Sequence, residues 1–240
     1  MKYLSTELNK TVNYDDIVYL RELYEVTDKI LLGKNTNKEL LTLPLNESIM
    51  IHSNYNTNRT FLLRNIMAQI GLLGYSVIVL SGSKSTYSIF TYHENFFFLK
   101  DNVDPLLRFI NNRLEMYTSG KMEDCTSVYL VIEDYNPFLA DETLQKVVNY
   151  IIKYGEHINI HLLITSESTS TESNLKHTIC SNVEKDTNFF YSSADTFTNA
   201  ELFFIESTQA KDMISKYSCN ESHIFTDSTI ELEVNLGKCY

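Results

Sequence analysis

No stretch of this 240-residue chain approaches the roughly 18 uninterrupted apolar residues that a bilayer span requires, and no apolar core precedes the acids of its opening MKYLSTELNKTVNYDD. The chain as given is expected to be soluble. A basic excess is missing as well: 31 acidic against 20 basic side chains leave a formal charge of −11, the wrong sign for gripping a polyanion by releasing counterions from phosphates. Nucleic acid is therefore not an expected partner. Cys125, Cys180, Cys219 and Cys239 include no Cys-x-x-Cys pair, which argues against a zinc ribbon or a disulfide framework and fits a reducing cytosol. No signal peptide is expected, and the sequons at Asn46, Asn58 and Asn220 are accordingly expected to be chance matches. Internal repeats, long linkers and low-complexity tracts are absent too, so one domain over residues 1–240 is the expectation. A domain of this size with 43% hydrophobic residues can bury one substantial core.

What is present is an alternation of short apolar runs and capped amphipathic segments. NYDDIVYLRELYEVTDKILLG reads as a helix from an Asn13 cap to a stop before Gly33, a helical lead-in over residues 1–33. LLTLPLNESIMIHS reads as two extended pieces around Pro44. RTFLLRNIMAQIGLLG is a helix closed by Gly74, and YSVIVLS a buried strand. NFFFL is a strand whose Phe96, Phe97 and Phe98 belong to the sheet core. DPLLRFINNRLEMYTSG is a helix with Asp104 at its cap, Pro105 in its first turn and Gly120 past its end. SVYLVIED is a strand, ADETLQKVVNYIIKYG a helix from Asp141 to Gly155, and INIHLLITS a strand. Beyond it, STSTESN is a polar loop, TNFFYSS a strand, TNAELFFI a short helix and SHIFTDSTIELEVNL a hairpin turning at Asp227 and Ser228. Strands alternating with helices predict an α/β fold, mainly parallel, with helices on both faces.

The segment IMIHSNYNTNRTFLLRNIM has the strand, loop and helix layout of a phosphate-binding loop, yet its loop holds no glycine. A Walker A motif, G-x-x-x-x-G-K-[ST], uses glycine to turn its backbone through positive φ and aim N–H groups at phosphate oxygens. In the same frame Ser53 takes the first glycine position, Asn58 the second, Arg59 that of the lysine and Thr60 that of the magnesium-binding hydroxyl. Asn54, Asn56 and Asn58 soften a left-handed penalty of about 1–2 kcal/mol without removing it. Tyr55 cannot lie close to a pyrophosphate, and Thr57 completes the stretch. Arg59 keeps the charge, but a planar fork does not replace a compact ammonium.

YLVIED supplies the matching acidic strand end, with its acids in reverse order. Glu133 stands where a magnesium-positioning Asp is expected and Asp134 where a water-activating Glu is expected, so each carboxylate misses its reach by roughly 1.5 Å. Displacements near 1 Å can cost catalysis about a hundredfold. His157 and His161, four residues apart, are separated by the Gly155 break and read as structural rather than as metal ligands.

With these residues in view, the chain resembles the FtsK/SpoIIIE superfamily of ring ATPases. LLGK and LPLNESIMIHS are similar to the lead-in of its phosphate loop, LRFINNRLEMYTSG to its Glu-Met helix, YLVIEDYNPFL to its acidic strand, and YGEHINIHLLITSES to its Gly-Ile-His-Leu strand. Ser166 stands in place of a glutamine and Glu167 in place of a basic residue, further departures at the active-site position. Within the superfamily the combination most resembles the C-terminal ATPase-like domain of the type VII secretion coupling proteins of the EssC/EccC family.

The resemblance implies a RecA-like P-loop domain, one of several tandem modules excised from a longer membrane-anchored chain on the cytoplasmic side of a bacterial membrane. It implies a pseudo-ATPase without hydrolysis and without catalytic residues, Ser53 to Thr60 offering at most weak ATP and magnesium binding. Its implied partners are secreted helical-hairpin proteins, the other ATPase domains of the same chain and ring neighbours, with the membrane reached only through the parent chain. The competing expectation is an active FtsK-like DNA translocase, which calls for an intact GK[ST], a basic channel and a basic DNA-reading domain. A structural spacer in a stacked ring is the third.

Overall fold

Ile49 and Ile51 fall in one hydrophobic cluster and Met50 in another, because successive residues of an extended chain face opposite sides of a sheet. The same division runs through the neighbouring strands, with Val77, Val79, Val131 and Leu163 on one side and Ile78, Leu130, Ile132 and Leu162 on the other. Apolar side chains on both faces mark a sheet covered from both sides.

The computed structural model describes residues 21–22, 28–53, 56–80, 90, 95–99, 103–122, 125–133, 141–167, 175–181, 189–193 and 196–203. Within them lie strands β1 (Lys29–Asn35), β2 (Leu40–Pro44), β3 (Ile49–His52), β4 (Ser76–Leu80), β5 (Phe96–Leu99), β6 (Val128–Ile132), β7 (Ile160–Ser166), β8 (His177–Ser181), β9 (Phe189–Ser193) and β10 (Thr196–Leu202). The helices are α1 (Asn56–Leu72), α2 (Asp104–Thr118) and α3 (Glu142–Ile158). The strands form one sheet in the order β2-β1-β10-β9-β8-β3-β7-β6-β4-β5. From β8 to β5 every pairing is parallel, and from β8 through β9, β10 and β1 to β2 every pairing is antiparallel. The α/β architecture with a mainly parallel sheet is thus as expected, extended by an antiparallel wing.

Helix α1 packs on one face and is buried on all sides from Leu62 to Gly71, the condition of a helix without a solvent stripe. Its polar residues Asn65 and Gln69 accordingly hydrogen-bond backbone. Leu31 N–H donates to Gln69 Oε1 at 2.8 Å, and Gln69 Nε2 donates to Leu31 O at 2.8 Å and to Asn65 Oδ1 at 2.9 Å. Asn65 Nδ2 donates to Phe203 O at 2.9 Å, tying α1 to the chain just past β10. On the other face, Leu106 and Ile110 of α2 and Leu144, Val147 and Ile151 of α3 cover the sheet.

Local chemistry explains most helix ends. Asp141 caps α3, its side chain accepting from the N–H groups of Thr143 and Leu144. Gly74 and Gly120 follow α1 and α2 with φ of 79° and 71°, a conformation that glycine reaches without a Cβ clash. In α2 the cap position is Val103, and Asp104 sits in the first turn beside Pro105, one residue later than the composition suggests.

Three expectations are corrected. Helix α3 does not stop at Gly155 but runs to Ile158 and ends on Asn159, which adopts the left-handed conformation at φ 53°. Gly155 is instead a close-packing residue: a Cβ there would lie 2.4 Å from Ile160 O. The lead-in helix does not extend to Gly33, because Lys29–Asn35 is strand β1, paired on both sides. Arg21 and Glu22 are helical, while residues 1–20 and 23–27 lie outside the described residues. TNAELFFI is no helix either: it lies largely in β10, whose Ala200 and Leu202 are buried around the less buried Glu201. Strand β8 is an addition to the expected elements, and the STSTESN loop and the 222–236 hairpin fall outside the described residues.

Candidate phosphate-loop site

The loop-bearing strand β3 stands between β7 and β8, both parallel to it, so its carboxyl end opens on the same edge of the sheet as theirs. Ligand crevices of open parallel sheets form outside the carboxyl ends of the strands. The carboxyl ends of β3, β7 and β6 gather His52, Ser53, Ser166 and Glu133, all buried. Ser53 N–H continues the β3–β7 ladder by donating to Ser166 O at 3.1 Å, and Glu133 N–H donates to Leu80 O at 3.1 Å. Strand β7 separates the loop strand from the acidic strand, which sets Ser166 between them.

From Asn56 onward the backbone takes a different course from the one the motif frame suggests. Asn54 and Tyr55 lie outside the described residues, and α1 already begins at Asn56, so Asn56, Thr57 and Asn58 are helical. Asparagines at 56 and 58 therefore do not serve as left-handed substitutes for glycine. Among the described non-glycine residues only Lys38, Asn46 and Asn159 have positive φ.

Arg59 decides the electrostatics. Its side chain is 3% exposed, and its guanidinium is directed back onto the loop: Nη1 donates to Ser53 O, and Nη2 lies 3.1 Å from Glu167 Oε1. The Glu167 side chain, one residue past β7, is 58% exposed. A buried cation requires a counter-charge and hydrogen-bond acceptors, and here the protein provides both from its own chain. Arg59 Nε is buried and has no hydrogen-bond partner among the described residues. Thr60, the residue in the metal-hydroxyl position, is buried in the following part of α1. Asp134 lies outside the described residues, so the geometry of the acid pair is given only by Glu133.

The structure thus brings together Ser53, Arg59, Thr60, Glu133 and Ser166 at one sheet edge. It adds an ion pair between Arg59 and Glu167. The signal was present as two departures of opposite charge, an arginine for the lysine of the loop and a glutamate for a basic residue after β7. Their adjacency becomes visible only when β3 and β7 are neighbours.

A second polar group lies at the opposite, amino-terminal end of the same strands. Lys176 Nζ sits 2.7 Å from Glu156 Oε1 and 3.5 Å from Glu47 Oε1, beside a pocket lined also by Ile151, Leu175 and His161. The two histidines singled out by their spacing occupy different places: His157 stacks on Tyr117 at 5.1 Å, while His161 is buried against Tyr129 at 5.3 Å. Burial pushes the His161 pKa down to about 4, against a raising pull from Glu156, so its ring is neutral at pH 7. Tyr129 accepts a hydrogen bond from Asn46 N–H at 3.1 Å, and burial pushes its pKa up to about 12. Burial also raises the Cys180 thiol, which leaves it a poor nucleophile.

The class that the architecture defines is a RecA-like α/β fold. Within that class the fold resembles those of the ATPase domains of EccC and EssC. No family model matches the sequence, and no curated protein matches it. Among solved structures, the cytoplasmic domain of EssC is similar at 10% identity with TM-score 0.66, over 84% of this chain and 48% of that one. EccC ATPases 2 and 3 of Thermomonospora curvata, solved in complex with a signal sequence peptide, are similar at 13% identity with TM-score 0.66, over 84% of this chain and 44% of that one. The pCW3 conjugation coupling protein TcpA, in monomer form with ATPγS, is similar at 14% identity with TM-score 0.65, over 88% of this chain and 75% of that one. This chain spans less than half the length of those two secretion ATPase chains. Among the described residues, no helix is long and apolar enough to cross a membrane.

Proposed function

We propose that this chain is a degenerate, non-hydrolysing P-loop module of a type VII secretion coupling protein, one that recognises secreted substrates and contributes to assembly of the motor. The observation that carries the reading is the Arg59 side chain. The group in the position of the phosphate-gripping lysine is committed to Ser53 O and Glu167 instead. A helical Asn56–Asn58 segment supports the same reading, since the positive-φ glycine nest that wraps a triphosphate has no counterpart among the described residues of the loop. The reversed Glu133 and Asp134 order adds to it.

Recognition of a secreted partner is favoured by the likeness in fold to EccC, whose ATPases 2 and 3 were solved with a signal sequence peptide. In this reading the partners are helical-hairpin proteins carrying such a signal, together with other ATPase domains of the parent chain and of ring neighbours. The domain works on the cytoplasmic side of a membrane that the parent chain spans. ATP and magnesium are not required cofactors. An FtsK-like DNA translocase is disfavoured by the charge of −11 and by the engaged Arg59.

Calorimetric titration tests this directly, with ATP·Mg in one arm and a candidate secreted hairpin protein in the other. Partner binding without nucleotide turnover is the expected result. Tight nucleotide binding with turnover overturns the pseudo-ATPase reading, and binding of neither ligand replaces it with a structural spacer.

A further inference from the structure

A buried arginine fork is a strong oxyanion receptor, because its planar donors match the oxygens of phosphate and carboxylate. Arg59 stands near the amino terminus of a 17-residue helix, where backbone N–H groups and the helix dipole also favour an anion. Part of its receptor capacity is already in use: one donor goes to the loop carbonyl of Ser53 and one faces Glu167, at 3.1 Å. Nε, buried and without a hydrogen-bond partner among the described residues, shows that the guanidinium is not saturated.

The two members of the pair are very unequal. Arg59 is fixed, with 3% of its side chain exposed, whereas Glu167 is 58% exposed and follows directly after the last residue of β7. Moving the glutamate into water costs little, since its charge is already partly hydrated. Moving the arginine would break a buried contact with the loop backbone. The mobile half of the pair is therefore the acid.

We propose that Glu167 is a built-in counter-ion occupying the anion seat of Arg59, so that a phosphate-class oxyanion binds at the start of α1 only in competition with this carboxylate. The inference rests on the reading of the loop as degenerate and adds a cause: affinity for phosphate is suppressed by one side chain 108 residues away in sequence, in addition to the loss of glycines. Glu167→Gln keeps the shape of the side chain and removes its charge, leaving the guanidinium short of a negative partner.

The test is titration of the full chain with inorganic phosphate and, separately, with ATP·Mg, read by calorimetry and by thermal shift against matched chloride. Glu167→Gln is expected to bind phosphate and nucleotide about tenfold more tightly than the parent, and the gain is expected to vanish in Arg59→Met/Glu167→Gln. A gain with ATP·Mg but not with phosphate places the contact on the nucleotide as a whole; equal gains place it on the phosphate group, and both support the competition. Equal affinity of parent and Glu167→Gln, or a gain that survives loss of Arg59, overturns it. Should Glu167→Gln fold poorly, Glu167→Ser gives the same comparison. Turnover of ATP by this chain without substitutions would refute the pseudo-ATPase reading instead, so the two failures are distinguishable.

Discussion

The carboxamide of Gln69 forms both hydrogen bonds that Leu31 would otherwise make to a neighbouring strand, one as acceptor and one as donor, each at 2.8 Å. Leu31 lies beyond Gly33, the last β1 residue in register with β10 among the described residues, so a helix side chain satisfies a backbone that this ladder does not reach. Gln69→Leu is nearly isosteric but would strand a buried N–H and a buried C=O. A loss of about 2–4 kcal/mol is expected in denaturant unfolding, against less than about 1 kcal/mol for exposed Lys146→Ala.

Gly33 and Gly155 should be intolerant of even a methyl group. A Cβ on Gly33 would sit 2.1 Å from Glu201 O, and one on Gly155 would sit 2.4 Å from Ile160 O. Both obstacles are backbone rather than the end of a flexible side chain. Gly155→Ala is expected to destabilise by about 1–3 kcal/mol, despite the higher helix propensity of alanine. A thermal melt of the variant with unchanged or raised Tm would contradict the close approach.

The capping aspartate of α3 makes a smaller, separable contribution. Asp141→Ala removes the acceptor for two N–H groups and should cost about 1 kcal/mol, while Asp141→Ser should recover most of it. Equal stability of the two variants would show that the cap contributes nothing.

Acid should weaken the fold through His161. Its folded pKa is lowered from 6.5 to about 4, by burial first, with Glu156 opposing. The unfolded chain therefore takes up this proton at higher pH than the folded one. The associated stability is fully present above about pH 6.5 and is lost as pH falls through 4, in total about 3 kcal/mol. His161→Leu should flatten that part of the stability profile in denaturant titrations between pH 7 and pH 4. Tyr129 acts at the alkaline end with the opposite sense. Its pKa is raised from 10.0 to about 12, so its contribution holds below pH 10 and fades as pH rises toward 12.

Legibility in the sequence followed the range of the forces involved. Strands β4, β6 and β7 could be read from the runs SVIVL, VYLVI and IHLLITS, because strands buried on both faces are apolar throughout and are set off by capped helices. KILLGK could not be separated from the helical pattern before it, since Ile30, Leu31 and Leu32 suit a helix face as well as a sheet. Pairing with β2 and β10 makes it a strand. In the same way Ala200, Glu201 and Leu202 suit a helix, and their place in β10 between β1 and β9 overrides that preference. Ser53, Thr60, Glu133 and Ser166 could be located as a candidate site because strand ends follow from the strands. The engagement of Arg59 by Glu167 could not, because it depends on β7 lying beside β3.

The most direct test of the account is a steady-state ATPase assay on the full chain with magnesium, comparing the parent with Glu133→Gln and Arg59→Ala. The account predicts the same background rate in all three, because Arg59 is held by Ser53 and Glu167 and no triphosphate is positioned for cleavage. A parent rate well above background that falls to it on Glu133→Gln would contradict the central claim and establish this edge of the sheet as a working nucleotide-hydrolysing site.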